Sequence, residues 1–265
     1  MAAPEPHVRE IMGMPIIVDV RDEGNHRPAI EAAFAWLRWV DETFSTYRAD
    51  SQIAKLNRQE LRLEDAHPAV REVLAACTAF RARTGGAFDA HAAGRTPEAR
   101  ARPGCDGRPG AVEPAGYVKG WAAAGAMDRL VAAGVQHALV DAGGDLLVKG
   151  RPAAGEHWRV GIQHPIEHAH VAAVLEVTNM AVATSGTYRR GDHIVDPGTG
   201  APPGGVLSVT CVGRDLPTTD ALATAAFAMG PDGARWLSVQ PDVEAMVILA
   251  DQTVLTTPGF NALCA

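Results

Sequence analysis

The chain has 265 residues, of which 47% are hydrophobic, 21% charged and 5% aromatic, a balance that excludes a disordered, collagenous or coiled-coil protein and suffices for a sizeable core. Its 24 Lys and Arg against 31 Asp and Glu leave a net charge of -7 with the signs mixed along the chain, which argues against a nucleic-acid surface. No stretch approaches the ~18 uninterrupted apolar residues of a membrane span, so no stable membrane insertion is expected.

In chain order, PIIVDV within residues 8–20 reads as a strand, and Ile30, Phe34, Leu37 and Phe44 mark an amphipathic helix. Asp50 and Ser51 suit the cap of a short helix carrying Ile53 and Leu56. Pro68 suits the first turn of another, with Val70, Val73, Leu74, Cys77 and Phe80 inward and Gly85-Gly86 ending it. Residues 93–112 are rich in Gly, Pro and Arg without any period and read as a mobile surface loop. Pro114 opens a helix through Val131, stopped by Gly134, and HALVDAGGDLLVKG follows as two strands about a Gly-Gly turn. Strands are expected at 158–163, 171–177 and 206–213, a helix at 218–229 capped by Thr218 or Thr219, and a last strand from Val243 to Leu249. The absence of a βαβ rhythm predicts an α+β fold, a single domain over 1–265 with a largely antiparallel sheet packed by helices.

Several segments carry chemistry-bearing residues. EPAGYVKGW at 113–121 places a carboxylate, two glycines and Lys119 across a helix N-terminus, where unpaired N–H groups and the dipole favour phosphate; a capped helix with a solvated lysine is the plainer alternative. In TTDALATAAFAMG at 218–230, Asp220 and Thr224 lie four residues apart on one helix face, a hard-oxygen pair suited to magnesium unless Asp220 serves only the helix N-terminus. ATSGTYRRGDHIVDPGTG at 183–200 is dense in turn formers, with HIVD as a short strand between loops and His193 as a general base, a ligand or a structural residue. Ser185 has no GxSxG setting, and neither TGGAFDAHA at 84–92 nor AGGD at 142–145 is a dinucleotide fingerprint. His157, His164, His168 and His170 lack a metal-binding spacing and read as a polar connection. The cysteines Cys77, Cys105, Cys211 and Cys264 form no CxxC pair and suit a reducing compartment; the N-terminus carries no signal pattern, so the expected location is cytoplasmic.

Taken together and in order, MGMP at 12–15, FSTYRADSQIAKLN at 44–57, TGGAFDA at 84–90, PAGYVKGWA at 114–122, AGGD, ATSGTYRRGDHIVDPGTG and TTDALATAAFAMG resemble the FAD:protein FMN transferase family, the ApbE-type flavin transferases. The resemblance spans nearly the whole chain and implies an ApbE-like fold, FAD as substrate and Mg2+ as cofactor. It implies FAD contacts from Met12, Tyr47, Ala87, Phe88, Asp89, Glu113, Lys119, His193 and Ile194, and magnesium on Asp220, Thr224 and the Gly116 carbonyl. The chemistry implied is attack by a Thr or Ser hydroxyl of an acceptor protein on the FMN phosphorus of FAD, with AMP leaving. Lys119, Asp220 and His193 are the catalytic candidates, the latter two as proton acceptors. Glu113 stands where the family usually has aspartate, and the stretch after Phe88-Asp89 lacks the family's longer tryptophan-bearing segment. A magnesium-dependent FAD pyrophosphatase and a non-catalytic FAD-binding protein are the alternatives, separated from transfer by acceptor dependence.

Overall fold

The computed structural model describes residues 5–93, 103–104, 111–186 and 194–265. The expected loop at 93–112 and His193 therefore fall largely or wholly outside the described residues. The fold is α+β. Eight strands form one sheet in the order β1-β2-β3-β4-β7-β8-β9-β10, comprising His7–Ile11, Met14–Val20, Ala138–Ala142, Asp145–Lys149, Ala181–Gly186, Val206–Gly213, Val243–Leu249 and Val254–Thr256. Every neighbouring pair is antiparallel. The remaining strands among the described residues, β5 at Trp158–Gln163 and β6 at Val171–Val177, form a separate two-stranded antiparallel sheet, with Leu175 bridged to Cys264 near the C-terminus.

Both faces of the central strands are covered, and the residues show it by alternation. Along β9, Val243, Ala245 and Val247 enter the larger core, whereas Met246 and Ile248 enter a second one on the other face. The helices α1 at Arg27–Phe44, α2 at Gln52–Asn57, α3 at Pro68–Arg83, α5 at Ala115–Ala132 and α6 at Leu216–Ala228 contribute to the larger core; the short α4 at Ala90–Ala93 adds Ala90. The second core is closed by the β5–β6 hairpin and Phe260. A further short helix, α7 at Asp232–Leu237, follows α6.

Local chemistry explains most boundaries. Ser51 caps α2 by accepting from Ala54 N–H at 3.0 Å, and Pro68 opens α3. Helix α6 starts earlier than expected: the cap is Asp215, not Thr218 or Thr219. Asp215 Oδ2 accepts from Thr218 N–H at 3.0 Å, and Pro217 fits the first turn, where its missing N–H would have had no helical partner.

The expected loop at 183–200 is also revised. Ala181–Gly186 is a central strand, β7, between β4 and β8. Its small residues suit close packing under α6, where Ser185 Oγ lies 3.4 Å from Thr224 Oγ1. Of HIVD, Ile194 to Asp196 is not a strand, because the Asp196 side chain and backbone close a turn, accepting from Gly198 N–H at 2.8 Å and Gly200 N–H at 2.7 Å.

Candidate functional site

The sheet brings its turns to one end. Met12 and Gly13 form the two-residue link between β1 and β2, with φ of 56° and 70°, the left-handed geometry that such tight hairpins require. Gly143 and Gly144 link β3 and β4 in the same way, and a methyl group on Gly143 would lie 2.7 Å from Met14 Sδ, so the two turns pack side by side. The AGGD segment is thus a hairpin turn, and it delivers Asp145 as the first residue of β4.

Against this end lie α5 and α6, which cross closely because Gly116 and Gly120 of α5 present no side chain to α6. A methyl group on Gly116 would meet Thr224 Cγ2 and Oγ1 at 3.2 Å and the Phe88 ring at 3.3 Å; one on Gly120 would meet Leu216 O at 2.8 Å and Asp220 Cβ at 3.0 Å. The Gly120 N–H donates to Asp220 Oδ2 at 3.0 Å across this crossing. In a regular helix that N–H points at the carbonyl of residue 116, so Asp220 sits where the Gly116 carbonyl is directed. Asp220 and Thr224, paired in the sequence by their spacing, and Gly116, joined to them there only by resemblance, are brought together here.

Asp220 is 3% exposed and Asp145 is 1% exposed. Asp145 Oδ1 accepts from Thr184 N–H at 3.0 Å, and Asp145 Oδ2 is ion-paired with Lys119 Nζ. Burial, reinforced by the neighbouring Asp145 charge, pushes the Asp220 carboxyl well above its ordinary range; Lys119 pulls it back in part. Lys119 is accordingly a partly buried, paired cation, not a solvated one. A carboxylate disfavoured by its surroundings, a hydroxyl and a helix carbonyl make a hard-oxygen donor set that suits magnesium, which takes few carboxylates and completes its shell with water and phosphate. No three His, Cys, Asp or Glu side chains converge among the described residues, and the four histidines of 157–170 form no cluster there.

The other expected contacts are distributed around this centre. Glu113 is half-buried, accepts from the buried Thr46 hydroxyl and donates its N–H to Ala90 O at 2.9 Å, which links the residue next to Tyr47 to the TGGAFDA segment. Tyr47 itself is 67% exposed. Phe88 is buried against α5, with its N–H on Thr84 Oγ1 at 3.0 Å, and Ala87 packs on the same core. Asp89 pairs with Arg81 at 3.2 Å and accepts from His91 N–H at 2.9 Å at the start of α4. It borders a cavity of about 450 Å³ whose walls include Asn57, Arg71, Arg81 and His91. Ile194 is half-buried against the larger core. The sequence did not single out Thr46, offered Ser185 no GxSxG setting and showed Asp145 only as the end of the AGGD turn; an acidic residue opening the apolar strand DLLV was the available signal for Asp145.

The model of the ApbE family matches residues 12–96 and 106–247. A FAD:protein FMN transferase of Vibrio cholerae serotype O1 is 32% identical over 153 residues, 54% of this chain and 44% of that protein. One from Rhodobacter capsulatus is 34% identical over 155 residues, 55% of this chain and 29% of that one. The chain spans less than half the length of these curated relatives. Among solved structures, the flavin transferase ApbE from Vibrio cholerae superposes with a TM-score of 0.83 at 24% identity over 99% of this chain and 100% of that chain. The apo flavinyl transferase ApbE of Pseudomonas stutzeri gives 0.82 at 25% identity, over 98% and 97% respectively.

Proposed function

The chain belongs to the ApbE family, and from that premise we propose that it transfers the FMN moiety of FAD to a threonine or serine hydroxyl of an acceptor protein, with magnesium, releasing AMP. We read residues 1–265 as one flavin transferase domain acting in the cytoplasm, a setting that suits the unpaired thiols of Cys77, Cys211 and Cys264. No helix among the described residues is long and apolar enough to cross a membrane.

The observation that carries the reading is the meeting of Asp220, Thr224 and Gly116 beside the Lys119–Asp145 pair. Magnesium held by these donors supplies charge neutralisation for the pyrophosphate oxygens. The chain's own contribution is placement. Met12, Glu113 and the Phe88-Asp89 segment would bind the flavin nucleotide around that centre, and the cavity beside Asp89 would take one end of it. Glu113 keeps the carboxylate of the family's aspartate, with Thr46 holding one oxygen of the longer side chain. Lys119 adds positive charge next to the phosphates.

The acceptor hydroxyl oxygen then forms a bond to the FMN phosphorus as the bond to the AMP oxygen breaks, and AMP departs with that electron pair. Of the two proton acceptors, His193 and Asp220, we assign the hydroxyl proton to His193: the buried Asp220 carboxylate already accepts from Gly120 N–H and would also be the group that holds magnesium. The test is incubation with FAD and magnesium, with and without a threonine-containing acceptor, following AMP and the intact mass of the acceptor. One FMN added per AMP released is expected. AMP with free FMN regardless of acceptor would make the protein a pyrophosphatase, and bound FAD without AMP would leave only flavin binding. His193→Ala is expected to lower turnover at saturating FAD; unchanged turnover removes that residue from the mechanism.

A further inference from the structure

We propose that Asp145 is a positioning residue of this site, holding the Lys119 ammonium in place and setting the charge that the divalent cation meets. This rests on the reading that Asp220, Thr224 and Gly116 carry magnesium.

Asp145 joins three elements through one side chain. It opens β4 directly after the Gly143-Gly144 turn, accepts from the Thr184 N–H of β7 at 3.0 Å, and pairs with Lys119 on α5. The residue after Lys119 is Gly120, whose N–H holds Asp220. The chain of contacts thus runs from the turn, through the ammonium's helix, to the metal-binding carboxylate. A buried charge is tolerated only when paired and hydrogen-bonded, and Asp145 meets both conditions on two different elements. Its 1% exposure removes solvent as a partner.

With Asp220 ionised, as it would be when it holds the cation, the two buried carboxylates and one ammonium leave a single net negative charge. A divalent cation converts that to a single positive charge, suited to the anionic pyrophosphate. Neutralising Asp145 would leave the cation a site with no net charge and would turn Lys119 toward Asp220 as its remaining carboxylate. Neutralising Lys119 alone would do the reverse. Magnesium affinity should therefore follow the charge count, which a purely structural role for Asp145 would not produce.

The experiment compares wild type, Asp145→Asn, Lys119→Gln and the double variant, each loaded with FAD and titrated with magnesium chloride. The readout is the magnesium concentration at half-maximal thermal stabilisation, with kcat and KM for AMP release measured alongside. Asp145→Asn is expected to raise the midpoint about 10-fold or more, the usual loss when a partner behind a metal ligand is removed. Lys119→Gln should lower it, and the double variant, with the wild-type charge count, should return to within about threefold of wild type while kcat stays low. Asp145→Glu should recover part of the loss.

A midpoint for Asp145→Asn within about twofold of wild type, or a double variant as weak as Asp145→Asn, would overturn the proposal. If Asp145→Asn does not fold, the double variant decides, because it replaces the buried pair as a unit. A wild type with no magnesium response also overturns it. A series whose magnesium midpoints follow the charge order, with a wild type that transfers no flavin, would leave the role of Asp145 standing and refute the transfer reading alone.

Discussion

The α5–α6 crossing can be tested with one methyl group. In Gly120→Ala the new Cβ would lie 2.8 Å from Leu216 O, 3.0 Å from Asp220 Cβ and 3.1 Å from the Leu216 carbonyl carbon. Carbon contacts are favourable at about 3.5–4.0 Å, so α6 must recede by roughly 0.5–1 Å. Two of the three contacts are backbone atoms of the first turn of α6, which cannot rotate out of the way as a side-chain tip can.

Overpacking of this kind destabilises by about 1–3 kcal/mol, whereas alanine in place of glycine inside a helix returns about 1 kcal/mol. The net is a loss of roughly 0–2 kcal/mol, or up to about 8 °C in melting temperature for a chain of this size. The site should suffer more than the fold, because the shift acts directly on the 3.0 Å bond between Gly120 N–H and Asp220. Thermal melts with and without magnesium, together with AMP release from FAD, measure both. We expect a raised magnesium midpoint and lowered turnover even if the melting temperature barely moves. A variant with wild-type magnesium dependence and wild-type turnover would show that the glycine contact does not position Asp220.

The raised Asp220 carboxyl gives a second expectation, for the metal-free protein. A carboxyl whose folded value lies above its ordinary 3.8 binds protons more tightly when folded, so it stabilises at low pH and that stability is lost as pH rises from about 4 through the folded value. Denaturation in chelator across this range should show the loss in wild type and a flatter profile in Asp220→Asn; equal slopes would contradict the assignment. Removing the α6 cap with Asp215→Ala should lower stability by about 1 kcal/mol, a melting shift of roughly 2–4 °C, whereas Thr218→Ala should shift it less; the opposite order would restore threonine as the cap. Burial pushes the Cys77 thiol up to about 12 and leaves Cys264 exposed, so alkylation of the native protein followed by peptide mapping should label Cys264 and spare Cys77 until unfolding.

Much of the fold was legible locally. The strands at 158–163, 171–177 and 206–213 and the helix ends at Pro68 and Gly134 followed from alternation, proline and glycine, which act within a few residues. The errors came where a long-range partner outweighs local composition. Ala181–Gly186 is dominated by small and hydroxyl residues with loop character, but it lies between β4 and β8 beneath a helix that leaves no room for larger ones. At α6, the stronger cap three residues upstream prevailed over the threonines.

For the site, the amino-acid sequence alone determined the inventory: the ordered motifs, the Asp220–Thr224 spacing on one helix face and the glycines near Lys119, since a period of 3.6 residues and the demands of a helix N-terminus are local properties. Only the tertiary structure decided the electrostatics. Gly120 and Asp220 are 100 residues apart, and the pairing of Lys119 with Asp145 depends on a helix docking against a hairpin turn. Whether a lysine is a free charge or a counter-ion, and whether an aspartate is exposed or pushed up by burial, depends on desolvation and on neighbours within a few ångströms, which only the packed sheet and helices supply.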